Sequence, residues 1–218
     1  MTEQEIIAEL EAKEELKKIP SEELKIFNLY DVNAVVVSDP GLKNVISVEY
    51  KLLLKSHGRA RGKFEKTTVN IVERLINYLG VPGHRGKKHK IITNWSSGKY
   101  NRNARIVLEA FKIIHNKTKK NPIQVLVEAV ENGSPRDEVT TIQYGGARYP
   151  QAIDCAPSRR ISLALRNIVH GSYDKAFNKK KRIAETLADE LIATSNKSGD
   201  SFSYTKKNEM EKQADGAR

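Results

Sequence analysis

Residues 121–169 read NPIQVLVEAVENGSPRDEVTTIQYGGARYPQAIDCAPSRRISLALRNIV, and this stretch decides the fold. Asn121-Pro122 is a strong helix start, because asparagine accepts hydrogen bonds at an N-cap and proline suits the first helical position. This helix is expected to end at Asn132-Gly133. Pro157 opens a second helix, and the residues between the two helices follow a different pattern.

Residues 137–154 predict a β-hairpin. Two runs rich in threonine, isoleucine and tyrosine flank Gly145-Gly146, a dipeptide that suits a tight turn between antiparallel strands. Pro150 cannot donate a ladder hydrogen bond, which places its strand at an exposed edge. The runs hold too few large apolar side chains to bury both faces, so we expect a ribbon that protrudes from the helices.

Helical spacing governs most of the remaining chain. Apolar residues recur at i, i+3 and i+4 over residues 67–79 and 103–116, and a last helix is expected over 204–213. Asn178 is expected to cap the helix that precedes this last one, with Leu187 and Leu191 on its inward face. In the helix after Pro157, the expected inward residues are Ile161, Leu165, Ile168 and Val169, and the expected outward residues are Arg159, Arg160 and Arg166.

The other segments are less regular. Residues 81–98 are basic and broken by glycines, which predicts a surface loop. Residues 24–50 are rich in β-branched side chains around an Asp-Pro-Gly turn, which favours extended or short-strand structure. Alternating glutamate and lysine over residues 3–18 predicts a thin amphipathic helix.

The predicted fold class is mainly α, a helical bundle of about six helices with a protruding β-hairpin arm and an N-terminal extension. The extension is expected to span residues 1–65, as an acidic helix at 1–23, an extended segment at 24–50 and a basic segment at 51–65. A helical domain is expected to follow at 66–218, with the hairpin at 137–154.

Composition excludes several protein classes. The chain has 218 residues, 38 lysines and arginines against 27 acids, a net charge of +11 and one cysteine. A single cysteine cannot form the intramolecular disulfides of a small secreted protein. No apolar run is long enough to span a membrane, and the first residues show no signal-peptide pattern. We therefore expect a cytoplasmic protein, and the positive charge favours a polyanion such as nucleic acid as its partner.

The charge is unevenly distributed. Residues 1–23 hold eight acids and three lysines, a net charge of −5, so the other 195 residues carry +16. Any one basic block is as readily explained as a solvated face, but several blocks in one chain favour a binding surface. The candidate RNA-binding cations are Arg59, Arg61, Lys63, Lys87, Lys88, Lys90, Lys99, Arg102, Arg105, Arg159, Arg160, Arg166, Lys179, Lys180, Lys181 and Arg182.

Structured RNA fits these features better than DNA, because no zinc finger, basic zipper or helix-turn-helix is evident. Trp95 and Tyr100 lie among cations and could stack on unpaired bases or pack internally. The glycines of the hairpin turn would allow close approach to phosphates. The residues of the arm expected to contact RNA are Tyr144, Gly145, Gly146, Arg148 and Tyr149.

The sequence gives only weak signals of an enzyme active site. Cys155 could act as a nucleophile beside a histidine, but no family signature surrounds it, and a lone cysteine of this kind is more often a small buried hydrophobe. His84 and His89 flank lysines, which would repel a metal cation. The glycines near residue 80 match neither the phosphate loop nor the dinucleotide fingerprint. We expect no metal and no other cofactor.

Taken as a set, several motifs resemble those of the small-subunit ribosomal protein seven family, in its archaeal form. The resemblance covers about residues 24–215. Its motifs are NPIQVL at 121–126, GSPRDE at 133–138, YGG at 144–146, APSRR at 156–160, AETLADELI at 184–192, VERL at 72–75, RIV at 105–107, LKIF at 24–27 and GR at 58–59.

The resemblance implies a helical bundle with a β-ribbon arm that binds the 3′ major (head) domain of small-subunit ribosomal RNA and starts head assembly. It implies that the arm lies near the exit-site transfer RNA, the messenger path and platform protein eleven. Cys155 stands where the family usually has an aliphatic residue, and residues 81–98 replace a shorter Gly-Lys-Lys turn. The alternatives are a free-standing RNA chaperone and an RNA-processing enzyme that uses Cys155.

Overall fold

The computed structural model describes residues 25–50, 54–56, 62–81, 84–85, 90–91 and 98–218, so the helix predicted within residues 1–23 lies outside the described residues, as does Trp95. The described α-helices are α1 (Pro40–Lys43), α2 (Ile71–Leu79), α3 (Tyr100–Thr118), α4 (Pro122–Gly133), α5 (Pro157–Ala176), α6 (Ile183–Ser195) and α7 (Phe202–Asp215). The described strands are β1 (His84–Arg85), β2 (Lys90–Ile91), β3 (Asp137–Tyr144) and β4 (Ala147–Asp154). The mainly helical fold with a hairpin arm is confirmed.

Side-chain caps fix where three of the helices begin. Asn121 Oδ1 accepts from the backbone N–H of Ile123 at 3.0 Å and starts α4 at Pro122, as the sequence predicts. Asn70 caps α2, and its Nδ2 also donates to the carbonyl oxygen of Glu49 at 2.7 Å. Ser201 caps α7 in the same way. Caps that also bond distant backbone fix the helix ends relative to the rest of the body.

The core lies between the long helices. α6 packs against α3, α4 and α5, and its Leu187 and Leu191 are fully buried. α2 lies against α3 and α5 on the other side. The inward residues predicted for α5 are confirmed, since all four are buried. Among the described residues, no helix combines the length and apolar character needed to cross a bilayer.

Residues 25–50, here called the strap, contribute to the same core as the helices. Ile26 and Leu42 are fully buried in the apolar cluster that the helices form. The N–H of Val36 donates to Gln124 Oε1 of α4 at 2.9 Å, and the N–H of Ser38 donates to Glu131 Oε1 at 2.6 Å. The strap consists of turns, extended backbone, isolated β-bridges and α1, so of the two predicted alternatives the extended one describes it. The expected division of the chain at residue 65 stays a prediction.

The ribbon, β3 with β4, is antiparallel from Asp137 opposite Asp154 to Tyr144 opposite Ala147, which confirms the predicted hairpin. Gly145 and Gly146 have φ of +57° and +87°, the left-handed backbone that a two-residue hairpin turn requires. α7 packs against both strands, and most ribbon side chains beyond that contact are exposed. The ribbon therefore projects from the body and is held at its base.

Two local predictions are wrong. Asn178 does not cap α6, because that helix begins at Ile183 with Arg182 at the N-cap, and Asn178 instead adopts φ of +56° in the preceding turn. The segment 81–98 is not entirely loop, since β1 and β2 pair antiparallel within it. Both errors come from reading isolated turn residues without the tertiary contacts that select among turn conformations.

Candidate nucleic-acid interface

A groove of about 640 Å³ lies between α2 and the amino-terminal half of α5. Its α5 wall uses positions three, four and seven residues apart, which share one face of a helix, and its α2 wall does the same. Among the described residues, no acidic side chain lines it. The lining residues are Ser56, Lys66, Val69, Arg74, Asn77, Tyr78, Val81, Arg159, Ser162, Leu163, Arg166 and His170.

Arg74 is the most deeply placed cation of the groove. It is 7% exposed, and among the described residues its Nη1 has no hydrogen-bond partner. Burial lowers the pKa of its guanidinium, although an arginine remains charged at neutral pH. A buried guanidinium nitrogen without a hydrogen-bond partner costs stability. Arg74 is therefore suited to an anion that arrives from outside.

Arg166 and Lys66 supply exposed positive charge at the groove. Arg166 lies on the outward face of α5, as predicted, one turn beyond Ser162. Neither side chain has an acid within salt-bridge distance among the residues that the structure describes. These two cations are available to neutralise phosphate groups.

Arg159 is exposed as predicted, but it is already paired. Its Nε lies 2.5 Å from Glu138 Oε1 and its Nη2 lies 2.6 Å from Glu138 Oε2. The hydrogen bond and the charge of Glu138 raise the pKa of Arg159. Because Glu138 belongs to β3, this bidentate pair joins the edge of the groove to the base of the ribbon.

The outward orientation predicted for Arg160 is wrong. Arg160 is 9% exposed, its Nη2 lies 2.7 Å from Asp39 Oδ2 of the strap, and it also donates to Ser134 Oγ at 3.3 Å. The 100° step of a helix separates Arg160 from Arg159 and turns it toward the side where Ile161 and Ala164 are buried. Its contact partner in this structure is the strap.

The remaining predicted cations are distributed over other surfaces. Residues 179–182 are exposed in the turn between α5 and α6, and Lys181 Nζ lies 3.8 Å from Asp189 Oδ2. Lys99, Arg102 and Arg105 are exposed at the start of α3, and Lys63 Nζ lies 5.3 Å from the ring centre of Phe64. Arg59, Arg61, Lys87 and Lys88 lie outside the described residues, as does the side chain of Lys90.

The ribbon tip presents aromatic side chains to solvent. Tyr144 is 81% exposed, and Tyr149 lies directly opposite Ile142 in the ladder. Because strand residues alternate between faces, Ile142, Tyr144 and Tyr149 share one face, while Arg148 lies on the other. Rigid exposed rings of this kind can stack on unpaired bases.

Two groups singled out in the sequence pack internally. Cys155 is 8% exposed, and burial, with the nearby Glu138 charge, raises the pKa of its thiol to about 11. The thiol is protonated at neutral pH, as the buried-hydrophobe interpretation predicts. Tyr100 packs against the core, and burial raises the pKa of its hydroxyl to about 12. Within the described part of the chain, histidines, cysteines and acids form no cluster of three that could hold a metal.

Sequence reasoning missed Lys66, Arg74 and Tyr78. Arg74 lies in an apolar repeat, where a lone arginine is usually assumed to point outward. The signal that could have found it is the helical face shared by Arg74, Asn77 and Tyr78. Nothing in the sequence shows that this face meets Arg166 and His170 of α5.

A family model and three related proteins give the same assignment. The sequence model described as ribosomal protein S7p/S5e matches residues 47–218. A protein of Archaeoglobus fulgidus is 48% identical over 90% of this chain and 96% of its own length. Proteins of Nanoarchaeum equitans and Methanococcus maripaludis are 43% and 44% identical over 89% and 90% of this chain, and 99% and 100% of their own lengths. All three relatives are named small ribosomal subunit protein uS7.

Proposed function

The chain belongs to the ribosomal protein S7p/S5e family, and from that premise we propose that it binds the head domain of small-subunit ribosomal RNA. It is a ribosomal protein of the small subunit and not an enzyme. The proposal is that it holds the 3′ major domain of the RNA in its assembled arrangement and starts assembly of the head.

The observation that carries this proposal is the groove between α2 and α5, whose described lining holds cations and no acid. Lys66, Arg74 and Arg166 place three cations along one concavity, and Arg159 connects its edge to the ribbon. Phosphate neutralisation is the largest source of affinity in most complexes with nucleic acid. A concave cationic surface on packed helices also fixes orientation, because its charges cannot move independently.

The other basic surfaces extend the same proposal. Residues 179–182 and the start of α3 carry exposed cations that would meet neighbouring RNA helices. Arg160 has a supporting role in the proposed interface, because its guanidinium holds the strap against α5. The cations near residues 59–61 and 87–90 are proposed as RNA contacts on the sequence alone.

The ribbon is proposed to reach beyond the RNA that the helical body binds. Its exposed tip, Tyr144 to Tyr149, would lie near the exit-site transfer RNA and the messenger path, with platform protein eleven close by. The exposed rings and the distance of the tip from the packed helices support this placement. The proposed cellular location is the ribosome in the cytoplasm.

The free-standing RNA chaperone remains the alternative to a ribosomal location. Sedimentation of a native extract separates the two. A protein of the subunit travels with the small subunit at low salt, whereas a chaperone stays near the top of the gradient. Binding to a transcript of the head domain, with a transcript of another domain of equal length as control, then tests the proposed RNA. Equal affinity for both transcripts would refute it.

A further inference from the structure

The groove between α2 and α5 has a property that phosphate binding alone does not use. One part of its wall is cationic, and the other part is apolar, formed by Val69, Val81 and Leu163 with Tyr78 beside them. Its volume of about 640 Å³ falls within the range of small-molecule sites. A flat face for phosphates needs neither this depth nor an apolar wall.

Arg74 supplies a second, independent indication of a ligand. It lines the groove, it is 7% exposed, and its Nη1 lacks a hydrogen-bond partner among the described residues. A structural arginine at this depth is normally paired with a carboxylate or with backbone carbonyls. An orphan donor beside an apolar wall indicates an amphiphilic ligand with one anionic end.

We infer that the groove receives a single unpaired nucleotide of the bound RNA, with its phosphate at Arg74 and Arg166 and its base against the apolar wall. The inference rests on the proposed function and adds the class of ligand to it. A nucleotide turned out of a helix offers both ends at the required spacing, whereas a paired base is covered by its neighbours. The groove thus selects an RNA junction that can present such a nucleotide.

The first test fills the groove without changing charge. Ser162 is half-buried on the α5 wall, and its hydroxyl donates only to the carbonyl oxygen of Ser158 at 2.8 Å, one turn earlier in the same helix. Ser162→Trp should lower the affinity for the head-domain transcript about tenfold, because base stacking is lost. The salt dependence of RNA binding by Ser162→Trp should equal that of the unsubstituted protein, since no phosphate contact is removed. Ser162→Ala removes the same hydroxyl without filling the groove, so it should lose much less affinity than Ser162→Trp.

The outcomes separate this inference from the proposed function. If Ser162→Trp binds as tightly as the unsubstituted chain while Arg166→Ala binds more weakly, the groove holds phosphates only and the nucleotide is refuted. If Ser162→Ala loses as much affinity as Ser162→Trp, the hydroxyl and not the space matters, which also refutes it. If neither Ser162→Trp nor Arg166→Ala weakens binding, the proposed interface fails as well.

A second variant tests Arg74 through two readouts. Arg74→Met keeps most of the length of the side chain and removes the buried charge. A ligand-binding arginine predicts that Tm stays the same or rises, because a buried guanidinium with an unsatisfied Nη1 is removed, while affinity for the transcript falls at least tenfold. A structural arginine predicts the reverse. A lower Tm with unchanged affinity would overturn the inference.

Discussion

The groove and the ribbon differ in what holds them. The groove walls are the outer faces of α2 and α5, whose inner faces carry fully buried side chains such as Leu75 and Leu165. The ribbon has no such inner face, and only its base packs on α7. Binding groups in the groove are therefore fixed by the core, whereas those of the ribbon are fixed by backbone pairing and a turn. This difference predicts that the groove is coupled to stability and the ribbon is not.

The largest expected effect contrasts the two regions directly. Leu165→Ala removes a fully buried side chain behind the groove and should lower the free energy of unfolding by about 3 kcal/mol. Ile142→Ala, in the ribbon, removes a side chain that is 45% exposed and should change it by about 0.5 kcal/mol or less. Urea denaturation of both variants provides the measurement. Similar losses would mean that the ribbon belongs to the cooperative core.

The neighbouring arginines sharpen the comparison at the level of one residue. Arg160→Ala leaves Asp39 without its partner and should cost about 2 kcal/mol of stability, since the pair is only partly exposed. Arg159→Ala breaks a pair whose arginine side chain is 56% exposed, so it should cost less, about 0.5 to 1 kcal/mol, although the Glu138 side chain is 14% exposed. Thermal unfolding of the two variants side by side tests this order. Equal losses would contradict the different roles assigned to them.

Shortening the ribbon tests its independence. Deletion of residues 144–148 with a Gly-Gly closure should leave the helical circular dichroism and the Tm nearly unchanged, because these side chains are exposed. Contact with transfer RNA or with the head-domain transcript should weaken several-fold. Loss of the helical signal would show that folding of the body needs the tip.

The smallest effect is the pH dependence of the Asp39–Arg160 pair. Burial alone would raise the pKa of Asp39, but hydrogen bonds from Arg160 and from the N–H of Gly41 outweigh it and hold the pKa below the ordinary 3.8. The pair therefore stabilises the fold fully above that value, and the stabilisation is lost as the pH falls through the lowered pKa. In Arg160→Met the loss of stability as the pH falls below about 3.8 should be smaller. An identical pH profile in both proteins would rule out the pair as its cause.

Local sequence signals predicted the parts of the fold that local chemistry decides. Asn121-Pro122 begins α4, Gly145-Gly146 turns the ribbon, and the apolar period of α5 identifies its buried residues. Each feature depends on residues within one or two turns, and a single chain contains that information.

Long-range packing explains what could not be predicted. Arg160 is buried because the strap, over a hundred residues earlier, places Asp39 beside it. The helical spacing of apolar residues around Arg160 does not predict this contact. The groove likewise exists only because α2 and α5 meet, which places Arg74 and Arg166 on one concavity. The set of candidate residues chosen from charge alone therefore includes both Arg166, which lines the groove, and Arg160, which holds the strap.

The most direct test of the RNA interface is the salt dependence of binding to the head-domain transcript. The double variant Lys66→Ala with Arg166→Ala should flatten the log–log slope by about 0.7 to 0.9 per lost phosphate contact. The matched control is Lys206→Ala, whose ammonium lies 2.5 Å from Glu209 on α7. A slope flatter by almost two with a weaker affinity, against an unchanged control, is the predicted result. A double variant that keeps both the slope and the affinity of the unsubstituted chain would contradict an RNA interface at the groove.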